Sequence, residues 1–122
     1  MFTLTKDNYD KTIQYNEIII IDFWAQWCVP CKQYALIFQK VSQIYPEIMF
    51  AKLDTEEEIG ISDHFFIQTL PTTVLMKSNT VVFKKPGLLS QEELIDLIEQ
   101  IKVIDIDQFI AEKATKKAAR RG

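Results

Sequence analysis

The chain has 122 residues, of which 48% are hydrophobic and 25% are charged, and its formal net charge is -3. These values predict one soluble domain that is large enough to bury a core, and they exclude a disordered chain or a membrane protein. The small negative charge disfavours nucleic-acid binding. Uninterrupted apolar runs such as residues 18–21 are too short to cross a bilayer, so no membrane partner is expected. The first 17 residues are mixed and polar, unlike a signal peptide, which predicts a cytoplasmic protein.

The first half of the chain alternates between strand and helix patterns. A short edge strand is expected at residues 2–5, followed by a polar helix over 6–15 that Thr5 caps. The isoleucine-rich run at 17–24 is typical of a central parallel strand that is buried on both faces. The apolar spacing over 32–45 predicts an amphipathic helix, which ends at the proline that follows.

The second half continues with strand patterns separated by shorter polar segments. A strand is expected at 49–54 and a shorter helix at 56–65. Residues 72–76 and 80–83 are β-branched and aromatic, which predicts a hairpin in which Asn79 adopts a positive φ.

A capping box and a basic extension end the chain. Ser90 and Glu93 have the capping-box spacing and open an amphipathic helix. The resulting order, β-α-β-α-β-α-β-β-α, predicts an α/β fold with a central mixed sheet of four to five strands and helices on both faces. Residues 103–122 hold five Lys or Arg against three Asp or Glu, a net charge of +2. They are expected to form either a further helix capped by Asp105 or Asp107, or a frayed basic end.

The chemistry of the sequence is concentrated in its only two cysteines, which form a C-x-x-C motif between the isoleucine-rich strand and the long helix. Unpaired N–H groups and the helix dipole at a helix N-terminus lower the pKa of a thiol placed there. Cys28 is therefore expected to be an acidic, accessible nucleophile. Cys31, one turn further on, is close enough to attack a mixed disulfide formed at Cys28, which predicts a reversible two-electron switch.

The cysteine pair has two alternative functions, a structural disulfide and a zinc site. A structural disulfide that closes so short a loop would stabilise the fold by only about 2 kcal/mol. A zinc site needs four ligands, and beyond the pair the chain offers only His64 and no further cysteine, so a closed Cys/His site within one chain is excluded. A metal or cluster shared between two chains stays open. Without a metal, we expect His64 to be a surface residue of the third helix.

The chain resembles the thioredoxin family over about residues 1–102. Five elements occur in the order and spacing of the family, namely Asp22-Phe23-Trp24-Ala25, Trp27-Cys28-Val29-Pro30-Cys31-Lys32, Ala51-Lys52-Leu53-Asp54, Leu70-Pro71-Thr72 and Gly87. The resemblance implies the thioredoxin fold and a protein-disulfide reductase that carries no bound cofactor. Its expected partners are disulfide-containing client proteins and a thioredoxin reductase that supplies electrons from NADPH. We expect a monomer.

The resemblance gives proton-transfer roles to two charged residues. Asp22 ends a strand of isoleucines, so burial is expected to raise its pKa. The resemblance implies that Asp22 takes the proton of Cys31 and that Lys52 modulates the charge of Asp22. The alternatives are a carboxylate that caps nearby N–H groups and a solvated lysine at a strand edge.

The resemblance also defines a client-binding surface. It comprises Trp27, Val29, Pro30, Leu70, Pro71 and Gly87. A trans bond before Pro71 is the better expectation from sequence alone, but the resemblance implies a cis bond that leaves the backbone of Leu70 free to pair with an extended client. Pro30 matches a helix-starting position. Trp24 is assigned to packing.

The chain departs from the family pattern at the active site. Val29 replaces the usual glycine of the family dipeptide, which is expected to alter client fit. The motif lacks a histidine between its cysteines, which predicts a reduction potential nearer the roughly -270 mV of thioredoxin than the roughly -120 mV of a strong oxidant. An alternative function is an interaction module dedicated to one partner, with secondary redox activity.

Overall fold

A computed structural model describes residues 1–121, with side chains described through residue 117. Gly122, the last residue of the predicted extension, lies outside the described residues. The strands of the described chain form one mixed sheet, in the order β1-β3-β2-β4-β5. They are β1 (Phe2–Thr3), β2 (Ile18–Trp24), β3 (Met49–Asp54), β4 (Thr72–Lys77) and β5 (Thr80–Pro86). Strands β1 and β2 run parallel to β3, whereas β4 runs antiparallel to both β2 and β5.

Helices cover both faces of this sheet, as predicted. They are α1 (Tyr9–Tyr15), α2 (Val29–Ile44), α3 (Ile59–His64), α4 (Gln91–Val103) and α5 (Ile106–Arg121). Side chains of α2 and α4 bury one face of the sheet around Ile20 and Leu75. Side chains of α1 and the α3 region bury the other face around Ile19 and Ile21. The alternation of the isoleucines in β2 between the two clusters explains why this strand is apolar at nearly every position.

Two helices begin later than predicted because local turns precede them. Thr5 does not cap α1; its N–H instead donates to Asn8 Oδ1 over 2.8 Å, and the helix begins at Tyr9. Before α3, the N–H of Glu56 donates to Asp54 Oδ1 over 2.9 Å, and the helix begins only at Ile59. In both places a side-chain amide or carboxylate oxygen binds the backbone in a turn conformation that competes with the helix.

The hairpin and the capping box are confirmed. The loop between β4 and β5 consists of Ser78 and Asn79, and both have positive φ, at 49° and 59°. Two successive positive φ values match the twist of a tight hairpin. At the start of α4, the N–H of Glu93 donates to Ser90 Oγ and the N–H of Ser90 donates to Glu93 Oε1, each over 3.1 Å.

The extension beyond residue 102 forms α5, a helix that reaches Arg121. Asp105 Oδ1 accepts the N–H of Gln108 over 3.1 Å, so Asp105, one of the two predicted caps, begins this helix. Ile106 and Phe109 are partly buried against the cluster formed by α2 and α4. The start of the extension thus packs against the core of the preceding domain.

A buried lysine joins β4 to the end of α4. Lys77 Nζ donates to the carbonyl oxygens of Ile101 (3.0 Å), Lys102 (3.1 Å) and Ile104 (2.8 Å). The last carbonyls of a helix have no partner within the helix, and a cation at this end is also favoured by the helix dipole. Lys77 therefore satisfies these carbonyls while it holds the helix end on the sheet.

Candidate active site

The two cysteines lie at the N-terminus of α2 and form a disulfide bond. Cys28 is the N-cap residue of the helix, and its Sγ accepts the N–H of Cys31 over 3.2 Å. Pro30 occupies the first turn, where its missing N–H leaves no helical hydrogen bond unmade. Capping by Cys28 also makes α2 begin at Val29, three residues earlier than the apolar spacing predicted.

The sulfurs are less accessible than predicted. Cys28 is 3% exposed and Cys31 is 2% exposed, because they pack with Ala25 and against Trp24 and Leu70. The expectation of an accessible Cys28 is therefore wrong for the disulfide form. Trp24 has the packing position that was predicted.

The side chains beside the disulfide are strongly exposed. Trp27 is 68% exposed and Val29 is 65% exposed. These two apolar side chains flank Cys28 in sequence and are exposed to solvent, whereas the two sulfurs are buried.

Asp22 is wholly buried at 0% exposure, and neither carboxylate oxygen has a hydrogen-bond partner among the described residues. Burial raises the pKa of Asp22 to about 7, and the nearby charge of Lys52 opposes part of this rise. The predicted burial and raised pKa are confirmed. The alternative of a carboxylate that caps nearby N–H groups is wrong, since no described residue donates a hydrogen bond to Asp22 in this structure.

Lys52 lies beside Asp22 on the neighbouring strand. The two residues are register partners in the β2–β3 ladder, so their side chains leave the same face of the sheet. Lys52 is half-buried, and its Nζ lies 4.8 Å from the centroid of the Trp24 ring. Lys52 is therefore not a fully solvated lysine at a strand edge.

The Leu70–Pro71 peptide bond is cis, as the resemblance predicts. Leu70 is half-buried against the disulfide cluster, and Pro71 is buried. The carbonyl oxygen of Pro71 accepts the N–H of Gly87 over 2.7 Å, and Gly87 has a φ of 93°. This bond places the segment after β5 beside the start of β4, and the left-handed φ explains the glycine.

Sequence reasoning missed a carboxylate at the rim. Trp27 Nε1 donates a hydrogen bond to Glu56 Oε1, across 29 positions of sequence. Nothing in the acidic run around Glu56 distinguishes it from its solvated neighbours, so only the fold identifies the pair. His64 lies exposed in α3, as expected.

Neither a metal cluster nor a membrane span is found in the described part of the chain. No three His, Cys, Asp or Glu side chains of the described residues gather in a way that would hold a metal ion. No helix there is both long and apolar enough to cross a membrane.

Comparisons with known proteins agree with this geometry. The Thioredoxin family model matches residues 1–100. The chain belongs to the thioredoxin family.

Individual members of the thioredoxin family match over most of the chain. "Putative thioredoxin 2" of Streptomyces coelicolor is 37% identical over 115 residues, which span 94% of this chain and 86% of that protein. The thioredoxin of Mycoplasmoides gallisepticum is 30% identical over 94 residues, which span 77% of this chain and 94% of that protein. A structure of Plasmodium falciparum thioredoxin superposes with a TM-score of 0.76 at 31% identity, covering 82% of this chain and 98% of that chain.

Family membership and the bonded cysteine pair together establish the type of chemistry. A thioredoxin with Cys28 and Cys31 joined at the start of α2 is a thiol-disulfide oxidoreductase. Its dithiol gives up two electrons and two protons as the intrachain disulfide forms, and a partner disulfide takes them up.

Proposed function

We propose that this protein reduces disulfide bonds in client proteins of the cytoplasm and so takes part in cell redox homeostasis. The thiolate of Cys28 attacks one sulfur of a client disulfide and releases the other as a thiolate. Cys31 then loses its proton and attacks Cys28 Sγ. This second attack forms the Cys28–Cys31 disulfide and releases the client as a dithiol, so that two electrons pass to the client.

The single observation that carries this proposal is the buried carboxyl of Asp22 on the strand that leads to the disulfide. A base for a thiol works best when its pKa is near the working pH, and burial brings the pKa of Asp22 to about 7. We assign Asp22 as the acceptor of the proton of Cys31. Lys52, its register partner, keeps part of the carboxyl population ionised.

The proposed client-binding surface surrounds the disulfide. Exposed Trp27 and Val29 supply apolar contact area, and Glu56 fixes the indole of Trp27 by a hydrogen bond. The backbone of Leu70 supplies main-chain hydrogen bonds to an extended client segment, which give affinity with little sequence selectivity. Because the sulfurs are covered in the disulfide form, we expect the reductase that recycles the protein to reach them only once it is docked on this surface.

Recycling of the disulfide needs an external electron donor. We propose a flavoprotein reductase of the thioredoxin reductase type, acting on a monomer. Support for this comes from family membership.

The experiment that tests the reductase is insulin reduction by dithiothreitol, followed by turbidity. Catalysis by the wild type should be lost in Cys28→Ser and Cys31→Ser. A Gln43→Ala variant, which changes an exposed residue near the end of α2, should behave as the wild type. Equal acceleration by wild type and Cys28→Ser would refute the enzymatic proposal.

A second candidate is a module dedicated to one partner, and the exposed Val29 favours it because a β-branched side chain at the rim restricts which surfaces can dock. Trapping with Cys31→Ser separates the two. Many clients captured as mixed disulfides support a general reductase. One partner that stays bound after reduction supports the module.

A further inference from the structure

Two buried hydroxyl groups near the active site have no part in the function described above. Tyr34 and Thr73 are both 0% exposed, and Thr73 Oγ1 donates a hydrogen bond to Tyr34 Oη over 2.7 Å. Tyr34 lies on α2 in a cluster whose other members are nearly all aliphatic or aromatic. Placing two hydroxyls in such surroundings is costly unless both find partners.

The hydroxyl pair lies next to Asp22. Asp22 and Thr73 are register partners in the antiparallel β2–β4 ladder, so their side chains leave the same face of the sheet about 5 Å apart. That face is the one covered by α2, which carries Tyr34. In agreement with this placement, burial raises the pKa of Tyr34, the hydrogen bond from Thr73 opposes that rise, and the charge of Asp22 adds to it.

Among Thr73, Tyr34 and Asp22, one hydrogen-bond donor and one acceptor are left without partners in the described chain. Thr73 uses its proton on the oxygen of Tyr34, which leaves the phenol with its own proton to donate. Asp22 has two buried carboxylate oxygens for which the described part of the chain offers no hydrogen-bond partner. A donor without an acceptor and an acceptor without a donor therefore lie within one small buried region.

We propose that Tyr34 is a positioning residue for Asp22. No hydrogen bond joins the two side chains in this structure, but when Asp22 ionises, its carboxylate accepts one from the phenol, which Thr73 holds in place. This inference rests on the proposed role of Asp22 as the acceptor of the proton of Cys31. A hydrogen bond to the charged form stabilises that form. Tyr34 thereby counteracts the burial of Asp22 and keeps the base available near neutral pH.

A test of this inference must separate the effect of Tyr34 on Asp22 from the effects of the other groups that face Asp22. Lys52 on β3 carries a charge, and in the reduced protein Cys31 on α2 titrates as well. Thr73 on β4 does not titrate. The side chains that α4 buries in this cluster are leucines and isoleucines. Only Tyr34 and Thr73 can thus be changed without altering a charge at neutral pH.

The direct test is NMR titration of the Asp22 carboxyl carbon in the reduced protein. We expect Tyr34→Phe to raise the pKa of Asp22 by about one unit. Thr73→Val should raise it by a smaller amount, because the phenol remains but is no longer held. The matched control is Tyr45→Phe. Tyr45 lies at the C-terminal end of α2, far from Asp22, and its hydroxyl donates to Glu99 of α4. Removing this hydroxyl should leave the titration of Asp22 unchanged.

The inference is overturned if Tyr34→Phe titrates as the wild type does, or if Tyr45→Phe shifts the titration equally. Should Tyr34→Phe fail to fold, Thr73→Val decides by the same criterion.

A kinetic experiment separates this inference from the proposed function. The rate at which Cys31 resolves a mixed disulfide is followed against pH in the wild type, Asp22→Asn, Tyr34→Phe and the double variant. We expect Tyr34→Phe to move the midpoint upward in the wild-type background and to have no effect in the Asp22→Asn background. If Asp22→Asn leaves the profile unchanged, the proposed role of Asp22 fails, whereas a Tyr34→Phe shift that persists without Asp22 overturns the inference alone.

Discussion

The backbone N–H of Gly87 donates to the carbonyl oxygen of Pro71 over 2.7 Å and thereby joins the segment after β5 to the proline of the cis peptide bond. Gly87 makes this bond with a φ of 93°, in a region that side chains with a Cβ rarely adopt. A Cβ built on Gly87 would meet no atom within 4 Å, so the backbone conformation alone demands glycine here.

Gly87→Ala should therefore destabilise the protein by about 1–2 kcal/mol, the penalty of a left-handed backbone for a residue with a Cβ. Urea unfolding of the oxidised protein measures this change. Gly60→Ala is the matched control, because Gly60 lies in α3 with equally open space around its Cβ. It should stabilise the protein by about 0.5–1 kcal/mol, and destabilisation of equal size at both positions would contradict the backbone argument.

Asp22→Asn should stabilise the oxidised protein at alkaline pH. The pKa of Asp22 rises from 3.8 to about 7 on folding, so the folded state binds more protons than the unfolded state between these values. The free energy of unfolding of the wild type should then fall as the pH rises through this window, by on the order of 4 kcal/mol in total. Asp22→Asn lacks this loss. Its free energy of unfolding should therefore equal that of the wild type at about pH 4 and exceed it by about 2–4 kcal/mol at pH 8.

Urea unfolding of both proteins from pH 4 to pH 8 measures this difference. Asp63→Asn, which changes an exposed aspartate of α3, serves as the control for removing one carboxylate. A pH-independent difference between the wild type and Asp22→Asn would show that the buried carboxyl does not titrate in this window.

The elements with strong local patterns were predictable from sequence. The isoleucines of β2 and the alternation of β3 defined the centre of the sheet, and the capping box at Ser90 and Glu93 located the start of α4. The C-x-x-C motif placed the disulfide correctly at a helix N-terminus. In each case the pattern lies within one element and depends on no distant contact.

What the sequence did not predict depends on contacts between distant segments or on competing local turns. The hydrogen bond between Tyr34 and Thr73 spans 39 positions, and no local sequence pattern at either residue predicts it. The burial of Cys28 results from Ala25 beside it and Leu70 from another segment. The late start of α1 results from the turn in which Asn8 Oδ1 accepts the N–H of Thr5. Helix propensity does not predict such a turn, because it takes no account of side-chain hydrogen bonds to the backbone.

Lys77→Met should destabilise the protein by about 2–3 kcal/mol, because methionine keeps the length of the side chain but makes none of the three hydrogen bonds that Lys77 Nζ donates to carbonyls at the helix end. Those carbonyls belong to Ile101, Lys102 and Ile104. Thermal or urea unfolding measures the loss. Lys40→Met, on the exposed face of α2, should change the stability by less than about 0.5 kcal/mol. A loss of similar size at both lysines would indicate a general effect of charge.

Removal of residues 104–122 should lower stability while leaving the catalytic rate per folded molecule unchanged. Ile104, Ile106 and Phe109 are partly buried against the main core, and losing their apolar contacts should cost about 2–4 kcal/mol. All of the proposed site residues precede this segment. Urea unfolding and insulin reduction of the same preparation measure the two effects.

A shorter truncation tests whether packing is the cause. Removal of residues 115–122 keeps these three side chains, and the side chains at 111–117 are exposed, so the change should be below about 0.5 kcal/mol. If removal of residues 104–122 is equally harmless, the remaining residues 1–103 form a self-sufficient domain, which agrees with the boundary predicted at residue 102, and the contacts of the extension contribute nothing to its stability. If both truncations destabilise to the same extent, the stabilising contacts lie in the distal part of α5.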